Sequence, residues 1–368
     1  MRVLYFTERD SPHDQRFLRA LAGTSHQVFA LRQVPEKAET PAGIIPVAWP
    51  AGQADWSHWP GWMDGKQQLS EILKEINPDL VHAGPVQGPA LLTALVGFHP
   101  LVTMSWGSDL LYHAQRSPWK RLATTYTLAR TDVFFGDCQT VAHAAIRYGM
   151  APENIMLFPW GVDLNHFSPE NDQRTIDNLR SELGWEDKFV ILCNRSWAPI
   201  YGVDVLAKAF VRAVETDNRL RLLLVGDGPE AGYIQQILEP VKHLVHYPGR
   251  LPNESLPGMY RTADLFVSPS HCDGSSISLL EAMACGCPVL VSDIPSNLEW
   301  VKPQVVGDIF MDGDVDHLQD KLLTMAADPN LYRYGQQARK LAENRANWKA
   351  NFQKLLAGYD LAINQDHI

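Results

Sequence analysis

Residues 268–293 read SPSHCDGSSISLLEAMACGCPVLVSD, a turn, a helix and a strand in one run. A polar turn containing Gly274 leads into an apolar run of helical length, a CGCP break follows, and PVLVSD is a short buried strand. Asp273 and Glu281 are eight residues apart, slightly more than two helical turns. A helix N-terminus offers unpaired backbone N–H groups and a partial positive charge, both suited to a diphosphate. Gly274 allows close backbone approach, Ser275 and Ser276 add hydroxyl donors, and Glu281 could accept hydrogen bonds from a ribose diol. An ordinary helix capped by Asp or Ser, with Glu281 as a surface charge, gives the same letters. The segment alone leaves both readings open.

Outward from it, the chain alternates short apolar runs with helical patterns. In the second half KFVILCN, RLRLLLVG, LVHYPG, ADLFVSP and CPVLVSD read as strands, and VDVLAKAFVRAVE, AGYIQQILEPV and SISLLEAMACG as helices. In the first half MRVLYF, HQVFAL, PDLVHAG, PLVTMSW and TDVFFGD read as strands, with helices DQRFLRALAG and KQQLSEILKEI. Such βαβ alternation implies parallel sheets covered by helices on both faces. The polar stretch NHFSPENDQRTID separates the series. The expected division is an N-terminal Rossmann-like domain over 1–168, a second over 169–345, and a C-terminal helix over 346–368 returning to the first. Ligands of open parallel sheets bind beyond the carboxyl ends of the strands. Asn194-Arg195-Ser196, GDGPE, SPSHCDGSS and SDIPSN all follow strands in the second half and should share one rim.

Composition narrows the function classes. A chain of 368 residues is comfortable for two cores. A net charge of -10 argues against nucleic acid as a partner. No apolar run approaches a membrane span, and MRVLYFTERD enters a strand with no signal-peptide pattern, so a cytoplasmic location is expected. The five cysteines are odd in number and scattered, as for buried thiols in a reducing compartment. The run DGDVDH lacks the glycine and terminal glutamate of a calcium loop and reads as the acidic start of a helix, so no metal is expected. No G-x-G-x-x-G follows the first strand and no G-x-S-x-G elbow appears, which disfavours NAD and a hydrolase triad.

Several ordered motifs together resemble the family 4 retaining glycosyltransferases (group 1, GT-B type). The family pattern E-x7-E is matched as D-x7-E from Asp273 to Glu281. AMACGCPVLVSDIPSNLEWV, PWGVDLNHFSP, VGDGPE and YPGRLPNESLPGMYRTADLFVSPS follow the family's series in order. The resemblance implies two facing Rossmann-like domains and a nucleotide-sugar donor, UDP-linked and glucose-type by preference, with no further cofactor. The acceptor it implies is a glycan or lipid-linked molecule of polysaccharide or cell-envelope synthesis. Arg195 would face the donor diphosphate and Glu281 would hold the ribose. Asp273, Gly274, Ser275 and Ser276, with Ile277 and Ser278 of the first helical turn, would touch the sugar and phosphates. Arg250 and Leu251 would lie beside the base. Two positions depart from the family. Asp273 is one methylene shorter than the usual Glu, and Tyr201 stands where a phosphate-binding Lys is usual, able to donate one hydrogen bond.

The first half keeps less of the pattern. The turn TERDSPHDQRFL replaces the usual glycine-rich loop and offers His13, Asp14 and Arg16 as acceptor or phosphate contacts, with Ser11 or Asp14 also capping the helix. VTMSWGSDLL occupies the slot of the family's "HG-D", with Trp106 in place of His. Trp106, Gly107 and Ser108 are therefore acceptor candidates, and Asp109 a candidate to orient the reaction. His82 and Asp137 end neighbouring strands and are candidates for the same rim. Trp49, Trp56, Trp59 and Trp62, with the RSPWKR cluster of Arg116, Trp119, Lys120 and Arg121, suit a peripheral contact with a membrane or an extended glycan. Packed surface loops would look the same. The rival functions are a sugar-nucleotide epimerase, which would need an acid/base pair beside the sugar, and a non-catalytic sugar-nucleotide or glycan binder.

Overall fold

A computed structural model of the chain describes residues 1–34, 40–49, 59–169 and 179–365. Trp56 and most of the polar stretch at the expected domain junction lie outside them. The chain divides into two compact units. One comprises Met1–Phe158 together with the chain from Phe352 on, and the other Pro159–Asn351. The division falls earlier than the expected 168/169 because residues 159–168 are tied into the second unit. Val162 exchanges backbone hydrogen bonds with Ala346 and Trp348, and the Arg339 guanidinium binds the carbonyls of Leu164, Phe167 and Ala284.

The first unit is built on a seven-stranded sheet. Its strands are β1 (Arg2–Thr7), β2 (Gln27–Arg32), β3 (Ile44–Val47), β4 (Leu80–Gly84), β5 (Leu101–Met104), β6 (Val133–Gly136) and β7 (Ile155–Leu157). The spatial order is β3-β2-β1-β4-β5-β6-β7. Every pairing is parallel; Val3, for example, faces Val28 on one side and Leu80 on the other. The inner strands are continuous apolar runs because helices cover both faces. On one face Leu4, Phe6, Phe29, Leu31 and Val81 pack on Leu69, Ile72 and Leu73 of the helix Trp59–Ile76. On the other, Tyr5, His82 and Phe135 meet Tyr359 of the C-terminal helix Trp348–Gln365.

The second unit carries a six-stranded sheet. Its strands are β8 (Phe189–Cys193), β9 (Leu220–Val225), β10 (Val245–Gly249), β11 (Leu265–Ser268), β12 (Val289–Ser292) and β13 (Gly307–Phe310). They are all parallel, in the order β10-β9-β8-β11-β12-β13. Alternate residues feed two cores. Val190 and Leu192 join Phe266, Val289 and Val291 on one face, while Ile191 and Cys193 join Leu224, Val267 and Leu290 on the other. In both units the strand order reverses beside the first strand, between β1 and β4 and between β8 and β11. That reversal leaves a crevice at the carboxyl ends where flanking loops part, the general ligand position of such sheets.

Candidate functional site

At the second unit's switch point, β8 runs out into Asn194 and Arg195, and β11 into the loop Pro269–Ser276. The helix Ile277–Ala284 begins only after this loop. Its N-cap is Ser276, whose hydroxyl accepts from the Leu279 N–H at 3.5 Å. Asp273 therefore lies in the loop ahead of the helix, so its spacing to Glu281 is not a spacing along one helical face. The helix ends at Cys285, and Gly286 (φ +73°) turns the chain toward β12.

Arg195 brings this loop together. Its Nη1 donates to the Ser276 hydroxyl at 2.7 Å and to the Ser278 hydroxyl at 2.8 Å. Its Nη2 pairs with Asp273 Oδ2 at 2.5 Å. The guanidinium carbon lies 4.4 Å from the centroid of the Tyr201 ring. The side chains of Arg195 and Asp273 are only 11% and 17% exposed. Burial is the largest single influence and works against the Arg195 charge, but Asp273 together with Tyr201, Cys193 and Tyr260 outweighs it, and the guanidinium pKa ends above its ordinary value. Burial raises the Asp273 carboxyl, while Arg195 and the Gly274 N–H pull it down. A cation thus sits at the positive end of a helix, with one buried carboxylate as countercharge, which is an electrostatic setting for an anion.

Glu281 is buried at 6% exposure, and its Oε2 accepts from the Tyr260 hydroxyl at 2.7 Å. The same hydroxyl accepts from Asn194 Nδ2 at 2.7 Å. Glu281 thereby connects to the residue next to Arg195 and is no surface charge. Tyr260, in the helix Leu256–Thr262, is the residue that sequence reasoning missed. A tyrosine in an apolar helical stretch carries no local signal of that partnership. Ser275 is buried and accepts from Trp300 Nε1 at 3.1 Å. Arg250 is exposed, and Leu251 packs on the apolar core beside it. They follow the turn at Gly249, whose carbonyl accepts from the Gly226 N–H at 2.8 Å.

In the first unit the corresponding residues are largely turned inward. Ser11 is the N-cap of the helix Pro12–Ala22 and accepts from the Asp14 N–H at 3.1 Å. Asp14 accepts from the hydroxyls of Ser11 at 2.5 Å and Tyr5 at 3.0 Å, and burial pushes its carboxyl up to about 6. Asp109 also uses both oxygens within the protein, accepting from Ser105 Oγ at 2.6 Å and the Val86 N–H at 3.0 Å. Burial raises its pKa. It ties the β5 turn, made by Gly107 at φ +84°, to the chain after β4. His82 does not line the rim. It is 2% exposed, shares a 2.7 Å hydrogen bond with Tyr359, and burial lowers its pKa to about 3. Asp137 is likewise buried. The half-buried residues at this rim are His13, Arg16, Trp106 and Ser108. His13 stacks on Trp106 with ring centroids 5.7 Å apart.

The acidic run folds as its sequence suggests: Asp314 caps the helix Val315–Ala326, and Asp312 bonds His271 at 2.6 Å. Among the described residues no group of three or more side chains is arranged to hold a metal ion.

Comparisons with known proteins agree with this geometry and decide the family. Residues 175–348 match "Glycosyl transferases group 1" and residues 2–138 match "Glycosyl transferase 4-like". The chain belongs to the group 1 glycosyltransferases. A GDP-mannose-dependent monoacylated alpha-(1-6)-phosphatidylinositol monomannoside mannosyltransferase of Corynebacterium glutamicum is 26% identical over 303 residues, 76% of this chain and 75% of that protein. A D-inositol 3-phosphate glycosyltransferase of Segniliparus rotundus is 28% identical, covering 64% of this chain but only 54% of its own length. Among solved structures, Anabaena HepE in complex with UDP and glucose superposes with a TM-score of 0.80 at 19% identity, over 98% of this chain and 99% of that one. The fold of this glycosyltransferase is GT-B. Its two departures from the family pattern, Asp273 and Tyr201, both lie against Arg195.

Proposed function

We propose that this glycosyltransferase moves a sugar from a nucleotide diphosphate to an acceptor hydroxyl with retention at the anomeric carbon, and that UDP carries a glucose-type donor. The observation that carries the reading is the buried Arg195 guanidinium held at the N-terminus of the helix Ile277–Ala284. In such a reaction the barrier lies in losing the diphosphate while positive charge builds at the sugar. Fixed donors aimed at the departing anion lower that barrier without reorganising. Arg195, the backbone of Gly274–Ser276 and the first turn through Ile277 and Ser278 would meet the phosphates. Glu281, its carboxylate held by Tyr260, would accept from a ribose diol. Arg250 and Leu251 would meet the base through their main chain. The diphosphate itself would guide attack from the front face, and no metal is needed in this scheme.

The acceptor would be a glycan or lipid-linked molecule of the cell envelope, met by His13, Arg16, Trp106, Gly107 and Ser108. Asp14 and Asp109 would act indirectly, by holding the two turns that present those residues. A peripheral membrane contact fits the helix Pro118–Leu128, where Trp119 and Leu122 are 51% and 61% exposed beside Lys120 and Arg121. No helix among the described residues is long and apolar enough to cross a membrane.

HepE's complex with UDP and glucose supports the UDP-glucose reading, while the Corynebacterium relative favours GDP-mannose as a second. Thermal shift separates them, because a ligand that binds only the folded state at 100 times its Kd adds ~2.7 kcal/mol of stability. UDP and UDP-glucose are expected to raise the melting temperature more than GDP and GDP-mannose. The reverse order moves the donor to GDP-mannose. No shift with any of the four removes the donor reading altogether. Labelled-sugar turnover with and without an acceptor pool then distinguishes transfer from epimerisation and from binding alone.

A further inference from the structure

We infer that Tyr201 is a positioning residue for Arg195: its ring face, rather than its hydroxyl, fixes the guanidinium so that Nε–H points to a phosphate of a nucleoside diphosphate. This rests on the proposed donor site and adds to it which atoms are spent in holding the cation and which is kept for the ligand.

Arg195 has its two terminal nitrogens occupied by protein. Nη1 serves Ser276 and Ser278, and Nη2 serves Asp273. One face of the planar group lies over Tyr201 at 4.4 Å. The hydrogen bonds use three of the five N–H groups; Nε is the one nitrogen of the three that is buried with no acceptor among the described residues. A buried N–H left without a partner costs free energy, so an arrangement that satisfies the other nitrogens and leaves this one implies an acceptor supplied from outside. Asn194 Oδ1, on the neighbouring residue, is also buried and unpartnered.

The platform beneath the guanidinium is itself fixed. Tyr201 closes the 3-10 turn Pro199–Tyr201, and Gly202 at φ +58° follows. A Cβ on Gly202 would lie 2.2 Å from the Pro269 carbonyl oxygen, so backbone touches backbone here and only glycine fits. The His271 N–H donates to the Ile200 carbonyl at 3.0 Å. The turn carrying the ring is thus clamped to the loop carrying Asp273. Arginine suits such a site because its plane stacks on an aromatic face while its edge donates in fixed directions.

The test is a double-mutant cycle read by calorimetric binding of UDP, with GDP as a second probe. Tyr201→Leu should weaken binding about tenfold, and Tyr201→Phe should restore most of it, since the ring is kept and the hydroxyl lost. In an Arg195→Ala background Tyr201→Leu should cost nothing further. In turnover, Tyr201→Leu should lower kcat as well as raise KM, because a misaligned cation serves the departing diphosphate poorly. The inference is overturned if Tyr201→Phe is as weak as Tyr201→Leu, if Tyr201→Leu binds like the parent, or if its loss persists without Arg195. If Arg195→Ala alone binds UDP and GDP as the parent does, the donor-site reading fails instead. Urea unfolding of the Tyr201 variants identifies a general loss of structure, which would also count against a positioning role.

Discussion

Arg195→Ala should separate the stability of the second unit from its chemistry. The substitution removes a guanidinium that satisfies two serine hydroxyls and pairs with a carboxylate 17% exposed. What remains is Asp273, buried, with the Gly274 N–H as a donor at 2.9 Å and no cation. Removing one partner of a buried pair typically costs ~3–5 kcal/mol, largely the penalty of the orphaned charge. The carboxyl can escape by taking up a proton, so the lower end, ~3 kcal/mol, is expected near neutral pH. The sign follows from linkage. Burial already holds the folded-state pKa of Asp273 above its ordinary value, and without Arg195 it lies higher still. Its contribution is then fully present below the unfolded value and lost as pH rises through the folded one. The gap between variant and parent should therefore close on acidification toward pH ~4 and widen toward neutrality. Urea unfolding at several pH values measures it as a midpoint shift of about 1–3 M at constant slope, given a slope of ~1–3 kcal/mol/M. Turnover should fall ~100–1000-fold, as for loss of one preorganised donor to a developing anion. Adding Asp273→Asn should recover most of the stability and none of the turnover. A variant with parental turnover takes Arg195 out of the reaction. A double variant as unstable as the single one shows that the orphaned carboxylate is not the source of the loss.

Asp14 has its carboxyl raised to about 6 by burial, so its stabilising share is complete below the ordinary carboxyl value and lost as pH climbs through 6. The first unit should lose ~3 kcal/mol between about pH 4 and 7, and Asp14→Asn should flatten that profile in urea titrations; an unchanged slope refutes the assignment. Tyr359→Phe leaves the buried His82 Nδ1 without its partner. It should cost ~1–3 kcal/mol and speed amide hydrogen exchange in the helix Trp348–Gln365, whereas parental exchange would mean that this bond does not hold the helix. Gly202→Ala forces a Cβ against the Pro269 carbonyl at positive φ. It should cost more than ~1 kcal/mol and weaken UDP binding together with stability, and parental values for both would show that the turn can shift.

Sequence reading recovered the inner strands of both sheets and missed three at their edges: β3 (IIPV), β7 (IML) and β13 (GDIF). A central strand is buried on both faces and must be a continuous apolar run. An edge strand of three or four residues has only one neighbour and can alternate with exposed positions, as β3 does. Its letters then resemble a loop. The second unit's candidate cluster was legible for a related reason. Ligand chemistry sits in loops directly after inner strands, and Arg195, Asp273 and Ser276 are polar residues in such places. What could not be read was the pairing within the loop. Asp273 looks like the first residue of a helix-spaced pair with Glu281, yet the helix starts at Ser276 and the carboxylate turns back to Arg195. The first unit shows the converse. Asp14 and Asp109 also lie in the first helical turns after strands and His82 lies within a strand, and their letters suggest a reactive rim. Burial decides otherwise, because each spends its polar atoms on a neighbour from a distant part of the sheet or its covering helix.

The same contrast explains why the two departures from the family pattern fall together. A shorter carboxylate at 273 reaches Arg195 at 2.5 Å, and an aromatic ring at 201 covers the guanidinium face. Each would be unremarkable on a surface. On the proposed reading, placed on one buried cation, they would replace the reach of a longer acid and the charge of a second base with rigidity. The proposed donor site would then stand or fall on a single guanidinium held at a helix N-terminus.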